Sequence, residues 1–209
     1  MTRPKIYLID GHSFAYRAFY ALPTTMITSQ GQHTNALYGF AKMIFSIIED
    51  KKPEALAVAF DLPEPTFRHE MYKEYKAHRP PSPDEFRSQV PILKEFVKKL
   101  DIPVYEIKGY EADDVLGTVA TLAVEEGYDV VIVTGDKDAL QLVTNHIHVL
   151  LPKKGLSEIK EVDVKAVEDM YEGLSPENLV DIKALMGDSS DNIPGVIGIG
   201  EKTAIALIK

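Results

Sequence analysis

The chain has 209 residues, 45% hydrophobic and 26% charged, with a net charge of −9 and no cysteine. Such a length suits one sizeable core with a small appendage, and the missing thiols exclude disulfides and thiolate metal sites. No apolar run approaches the ~20 residues of a membrane span and the N-terminus lacks a signal-peptide core, so a soluble, cytoplasmic protein is expected.

The first predicted element is a strand at residues 6–9 (IYLI), broken by Asp10-Gly11. Residues 35–51 read as a helix, because Leu37, Phe40, Ile44 and Ile47 recur at spacings of three, four and three. Residues 55–60 (ALAVAF) form the continuous apolar run of a strand buried on both faces, and the run ends in Asp61. Residues 67–79 (FRHEMYKEYKAHR) then mix Arg68, Lys73, Lys76 and Arg79 with Phe67, Tyr72 and Tyr75, before Pro80, Pro81 and Pro83. Basic groups of this kind suit phosphates, and aromatic rings suit bases at about 1–3 kcal/mol per stack. A solvated amphipathic helix whose tyrosines touch the core is the plainer alternative.

Helical patterns follow at 84–100 and 111–126. The second opens with Glu111, Asp113 and Asp114, and its buried face is expected at Val115, Val119 and Leu122. Acids in a first helical turn gain about 0.3–1 kcal/mol from the helix dipole. Three acids in four positions exceed that need, because they repel one another unless a cation sits among them. Residues 130–134 (VVIVT) give another strand, ending in Gly135-Asp136. Beyond it, Lys153-Lys154-Gly155 suggests an exposed turn and residues 163–171 a short helix. A further helix should start at Ser175-Pro176, with Ser175 as N-cap, carry Leu179, Ile182 and Leu185, and stop at Gly187.

Strands alternating with helices indicate an α/β fold with a mostly parallel central sheet flanked by helices. Residues 1–174 should form that body, and residues 175–209 a small C-terminal helical unit. Ligands of parallel sheets bind at the carboxyl ends of the strands. Three apolar runs here finish in an aspartate: Asp10, Asp61 and Asp136. One such aspartate is ordinary turn chemistry. Three of them beside an acidic helix start place carboxylates along one sheet edge.

Asp138 in TGDKD, and Asp188 and Asp191 in MGDSSDNIPG, add further carboxylates, though the remaining ligands of a calcium-binding EF-hand loop are missing. Every candidate ligand is an oxygen donor, which suits Mg²⁺ or Mn²⁺. Two such ions about 3.5–4 Å apart are the usual device for hydrolysing phosphodiesters. The acidic total does not exclude a nucleic-acid partner. Without the nine candidate ligands, 23 acids face 23 Lys plus Arg. Residues 195–204 (GVIGIGEKTA) place glycines before a new helix, where backbone N–H groups can approach a phosphate and Lys202 can assist. A plain helix–turn–helix connection is the alternative.

The set LIDGHSFAYRAFYALP, AFDLPEPTFRHEMYKEYKAHRPP, GYEADDVLGTVA, VTGDKDALQLV and MGDSSDNIPGVIGIGEKTA resembles the bacterial 5′-nuclease, or flap endonuclease, family. The likeness is strongest to the N-terminal 5′→3′ exonuclease domains of DNA polymerase I, and it runs from Lys5 to Lys209. The resemblance implies a PIN-like nuclease body with a helical arch near 67–83 and a C-terminal helix-hairpin-helix-like unit. It also implies two-metal cleavage of DNA near 5′ flap junctions, in replication and repair.

Residue by residue, the resemblance assigns Asp10, Asp61, Glu111 and Asp113 to a first metal site with Asp114 beside it. It assigns Asp136, Asp138, Asp188 and Asp191 to a second. Lys76 and Arg79 match catalytic arch positions that contact the scissile phosphate or the 5′ strand. Arg68, Lys73, Tyr75, Gly195, Gly198, Gly200 and Lys202 are the further expected DNA contacts, with a monovalent cation such as K⁺ at the glycine-rich hairpin. The family's nuclease region continues past the helix opening near Glu201, so residues 175–209 are expected to be its start, with a polymerase region as a possible neighbour in a longer protein. The alternatives are a non-catalytic relative that binds DNA junctions and a PIN-type ribonuclease. A haloacid-type phosphatase is disfavoured, because Gly11 and His12 follow Asp10 where that chemistry wants a second aspartate two residues on.

Overall fold

The structure is a computed structural model that describes residues 3–152 and 159–209. The turn expected at Lys153-Lys154-Gly155 lies outside the described residues. The chain opens with β1 (Lys5–Asp10), runs directly into α1 (Gly11–Ala21), and continues through α2 (Asn35–Lys51) to β2 (Ala55–Ala59). Next come α3 (Phe67–Met71), α4 (Asp84–Arg87), α5 (Val90–Lys99), the short β3 (Val104–Tyr105) and α6 (Ala112–Glu125). After β4 (Asp129–Val133) come a 3-10 helix (Lys137–Leu142), β5 (Ile147–Pro152), β6 (Ile159–Val162) and α7 (Val164–Met170). The last segment is α8 (Asn178–Met186), a hairpin of β7 (Gly187–Asp188) and β8 (Ile193–Pro194), and α9 (Glu201–Ile208).

The main sheet has the order β3-β2-β1-β4-β5-β6, with every pair parallel except β5–β6 at one edge. This is the mostly parallel sheet expected. Alternate residues of its inner strands feed two cores. Leu8, Ala57, Val130, Ile132 and Val149 pack with residues of α6, α7, α8 and α9. Tyr7, Ile9, Val58, Val131 and Val133 pack with α1, α2 and α5. Burial on both faces is why the strands read as unbroken apolar runs. Full burial of a side chain such as Ile9 or Ile132 contributes about 1.5–3 kcal/mol. The C-terminal helices share the first of these cores, through Leu179, Ile182, Ala204 and Ile205.

Four local expectations need correction. The pattern at 84–100 is two helices, because Ser88-Gln89 interrupts it and Pro91 sits in the first turn of α5, where its missing donor costs nothing. Gln89, fully buried, binds Asn35 Oδ1 at 2.9 Å and accepts the Leu37 amide at 3.1 Å, tying this break to the start of α2. At the other end, α8 begins at Asn178 rather than at Ser175. Asn178 Oδ1 accepts from both the amide and the hydroxyl of Ser175, which closes a turn first. Leu122 is 55% exposed, so α6 buries Val115, Leu116 and Ala120 instead. Finally, only Phe67–Met71 of the arch segment is helical; turns follow, with Lys76 in the left-handed region at φ 55°. Gly187 does stop α8, at φ 73°.

Candidate active site

From β1 the chain moves outward through β2 to β3, returns to β4 on the other side of β1, and moves outward again to β5. The strand order therefore switches direction between β1 and β4, the place where parallel sheets bind ligands. A cleft of about 1420 Å³ opens there. Asp10 closes β1, Asp61 lies just past β2, Asp136 just past β4, and α6 brings Glu111 and Asp113 to the same wall.

Asp10 doubles as the N-cap of α1. Its Oδ1 accepts the Ser13 amide at 2.9 Å and its Oδ2 the Thr134 hydroxyl at 2.8 Å. Only 7% exposed, it is pushed up to about 6 by burial, against these two hydrogen bonds, with Asp61 and Asp136 adding repulsion. The next residue must be glycine, since a Cβ on Gly11 would stand 2.5 Å from the Phe60 ring. Asp61 is held from both sides: its Oδ1 accepts the Ala112 amide at 2.7 Å, and its own amide donates to His12 Nδ1 at 3.1 Å. Burial lowers the His12 pKa, in keeping with a neutral ring that accepts.

Asp113 is raised to about 8, by desolvation within the cleft walls and then by Asp10, Asp136, Asp61 and Glu111. Its own surface remains open to the water of the cleft, so the repulsion is the part a bound cation would reverse. Asp136 accepts the Asp138 amide at 2.9 Å. Among the described residues, none of Asp10, Asp113 and Asp136 is paired with a basic side chain.

The outer acids differ. Residues 66–83 lie across the cleft as a strap, and its polar groups bind the site's own carboxylates. Lys76 Nζ meets Glu111 Oε1 at 2.8 Å, and the Tyr75 hydroxyl bridges Glu111 at 2.9 Å and Asp191 at 3.1 Å. Arg79 pairs with Asp191 and donates to the Ser190 carbonyl at 2.9 Å, while the Lys76 amide donates to the Asp191 carbonyl at 2.9 Å. Lys183, on α8, stands 2.8 Å from Asp138 and 2.9 Å from Asp188. Partial burial raises Asp188, but Ser190 and Lys183 together hold it well below the usual carboxylate range. Burial pushes Asp138 up, and Lys183 opposes the rise.

All nine expected ligands thus line the cleft, although the Asp114 carboxylate is taken by Arg68. Among the described residues, however, no three acidic or histidine side chains are yet gathered closely enough to enclose an ion. Lys76, Arg79 and Lys183 are paired with Glu111, Asp191, Asp138 and Asp188. The donor set itself fits hard divalent cations: all oxygen, mutually repelling, and partly desolvated.

Asp114 departs from its expected role. Both its oxygens take the Arg68 guanidinium, at 2.7 Å each, and Oδ2 also accepts the Glu111 amide at 3.0 Å. It orients Glu111 from behind, and the Arg68 fork holds its pKa down despite partial burial. Arg68 is correspondingly engaged with protein rather than open to phosphate. Tyr75, expected to stack on a base, is 4% exposed and closed off by His69 and the two acids.

Gly195 answers a packing demand, since a Cβ there would lie 2.2 Å from the Met186 carbonyl carbon. Lys73, Gly198, Gly200 and Lys202 remain on exposed surface. Sequence reasoning missed His12, Ser13, Thr134 and Lys183. Only Thr134, at the end of an apolar strand just before Gly135-Asp136, carried a local signal.

Comparison with known proteins is consistent across the chain. The family description "5'-3' exonuclease, N-terminal resolvase-like domain" matches residues 5–172, and "5'-3' exonuclease, C-terminal SAM fold" matches residues 174–209. The chain is 48% identical over 207 residues to DNA polymerase I of Bacillus caldotenax, covering 99% of this chain and 23% of that protein. It is 49% identical over 208 residues to DNA polymerase I of Mycobacterium tuberculosis H37Rv, covering 99% of this chain and again 23% of the relative. The chain thus spans less than a quarter of the length of these relatives.

Among solved structures, a T5 5′-exonuclease mutant superposes with a TM-score of 0.72 at 23% identity, over 99% of this chain and 72% of the other. A T5 D15 flap endonuclease variant, described as a pseudo-enzyme–product complex with DNA and metal ions, gives 0.74 at 24% identity, over 98% and 74%. At those identities the likeness speaks for the fold. Among the described residues no helix is long and apolar enough to cross a membrane.

Proposed function

The chain belongs to the 5′-3′ exonuclease family, and on that premise we propose that it hydrolyses DNA phosphodiesters at 5′ ends and near 5′ flap junctions, using divalent cations. The observation that carries the reading is the crowding of Asp10, Asp61, Asp113 and Asp136 at the sheet's switch point without a basic partner on three of them. Desolvation first, and then repulsion from Asp10, Asp136, Asp61 and Glu111, raise Asp113 to about 8, and a bound cation would remove the repulsive part of that cost.

Mg²⁺ or Mn²⁺, two ions when fully loaded, would supply Lewis acidity to the scissile phosphate and lower the pKa of an attacking water. Asp10, Asp61, Glu111 and Asp113 would hold a first ion, and Asp136, Asp138, Asp188 and Asp191 a second. The chain's own residues do the rest. Thr134, Ser13 and the Ala112 amide fix the carboxylates of Asp10 and Asp61, so that little reorganisation remains at the moment of reaction. Asp114 and Arg68 keep Glu111 in register. Lys76 and Arg79, which pair here with Glu111 and Asp191, would be free to turn to the phosphates of the 5′ strand when those acids hold cations instead. The exposed backbone of Gly198 and Gly200, with Lys202, offers a second hold on the duplex backbone. A polymerase region joined to this nuclease in a longer protein is part of the same proposal.

A 5′-labelled flap duplex and a matched single-stranded RNA, each with Mg²⁺ and with EDTA, test it. Mg²⁺-dependent cutting near the flap junction is expected. Binding without cutting contradicts the catalytic reading, and cutting of the RNA alone redirects it to a ribonuclease.

A further inference from the structure

Lys183 stands where two acids from unconnected segments meet. Asp138 belongs to the 3-10 helix after β4, Asp188 to the hairpin after α8, and Lys183 lies in α8 itself. The ammonium is 2.8 Å from Asp138 Oδ1 and 2.9 Å from Asp188 Oδ2. Among the described residues it is the one basic side chain that touches both. Asp188 is held independently of it, its Oδ1 accepting the Ser190 amide at 2.8 Å and hydroxyl at 2.6 Å, and the backbone of Asp138 is fixed by its amide on Asp136 at 2.9 Å.

The lysine is the movable piece. Its side chain is 40% exposed, and a single charge on a flexible four-carbon stem can swing into the open cleft without disturbing either acid. Asp10, Asp113 and Asp136 have no such counterpart: they lack a basic partner among the described residues, so an ion held by them alone has no ammonium to displace, although Glu111 beside them keeps Lys76.

We infer that Lys183 is a built-in counter-ion, which a divalent cation must displace in order to bind between Asp138 and Asp188. This rests on the metal-dependent reading above and adds to it: the outer position fills after the inner one, and Lys183 sets the concentration at which it does. Removing the ammonium removes both the competitor and its repulsion of the incoming cation, so affinity rises. Exchanging it for another permanent cation leaves affinity low.

The test is calorimetric titration of the metal-free 209-residue chain with Mn²⁺, for wild type, Lys183→Met, Lys183→Arg and Asp188→Asn. Wild type should show a tight class and a weak class. Lys183→Met should tighten the weak class by about 5–50-fold, within the usual range of coupling between sites. Lys183→Arg should leave it nearly unchanged, and Asp188→Asn should weaken that class alone. A weak class that is unchanged or weaker in Lys183→Met overturns the role of Lys183 and leaves the metal-dependent reading standing. No Mn²⁺ binding by wild type overturns both.

Melting gives a second readout. Without metal, Lys183→Met should melt below wild type, because Asp138 and Asp188 then face each other uncompensated, and saturating Mn²⁺ should close the gap. A gap that persists in Mn²⁺ marks the lysine as structural and overturns the inference.

Discussion

The two halves of the cleft solve the same electrostatic problem in opposite ways. Asp10, Asp61, Asp113 and Asp136 hang from strand ends and a first helical turn, over a core in which Ile9, Ile132 and Val133 are fully buried. A scaffold that stiff can hold like charges together uncompensated, and burial first, with repulsion added to it, raises the pKa values of Asp10 and Asp113. Asp138, Asp188 and Asp191 sit on a 3-10 turn and a hairpin loop. There the chain supplies its own cations, Lys183 and Arg79. Rigid elements can store repulsion for a ligand to relieve, whereas loops balance their charge locally until the ligand arrives.

The comparison is broken most directly at the inner half. Asp136→Ala or Asp113→Asn should slow single-turnover cleavage by about 10³-fold, at the upper end of what one electrostatic group contributes, while DNA binding survives. Unchanged cleavage would remove the inner acids from the mechanism. Without metal, Asp113→Asn should also raise the melting temperature at about pH 8, since it deletes a carboxylate normally near 4 that the fold holds near 8. At the outer half, Asp188→Asn should cost about 10–100-fold, less than the inner substitutions because Asp138 and Asp191 remain as acids. Equal losses from both halves would erase the distinction between them. For the strap, Lys76→Ala should slow the single-turnover rate about tenfold, and a wild-type rate would confine Lys76 to pairing with Glu111. Arg68→Met should act on stability instead. It strands Asp114 and should lower the unfolding free energy by roughly 1.5–3 kcal/mol, read from the denaturant midpoint.

The sheet was legible because its strands are buried on both faces, so IYLI, ALAVAF and VVIVT stand out without any tertiary information. The acids that end those strands were legible for the same reason: each follows directly on an apolar run. What sequence reasoning missed depends on long-range partners. Nothing local to Asp114 reveals that Arg68, 46 positions away, occupies both its oxygens. Tyr75 reads as an exposed aromatic among lysines, and only the fold turns it inward onto Glu111 and Asp191. Lys183 is one more charged residue on a helix until the 3-10 turn and the hairpin bring Asp138 and Asp188 to it. The break at Ser88-Gln89 was visible in Pro91, but the buried amide clamp to Asn35 that makes it worthwhile was not.

The pH dependence of metal binding puts the central claim to its sharpest test. Asp10 and Asp113 carry folded pKa values of about 6 and about 8, above their ordinary values near 4, so the metal-free fold binds extra protons in that window. Their contribution therefore favours the metal-free fold at low pH and is lost as pH rises through those values. A divalent cation must displace the same protons. Mn²⁺ titration of the metal-free chain at about pH 6 and about pH 8, the first well below the Asp113 transition and the second within it, reads this directly. Tight binding that strengthens severalfold from the lower to the higher pH, and is lost in Asp113→Asn, is the predicted result. Affinity that is the same at both pH values, or that survives Asp113→Asn intact, would contradict the account.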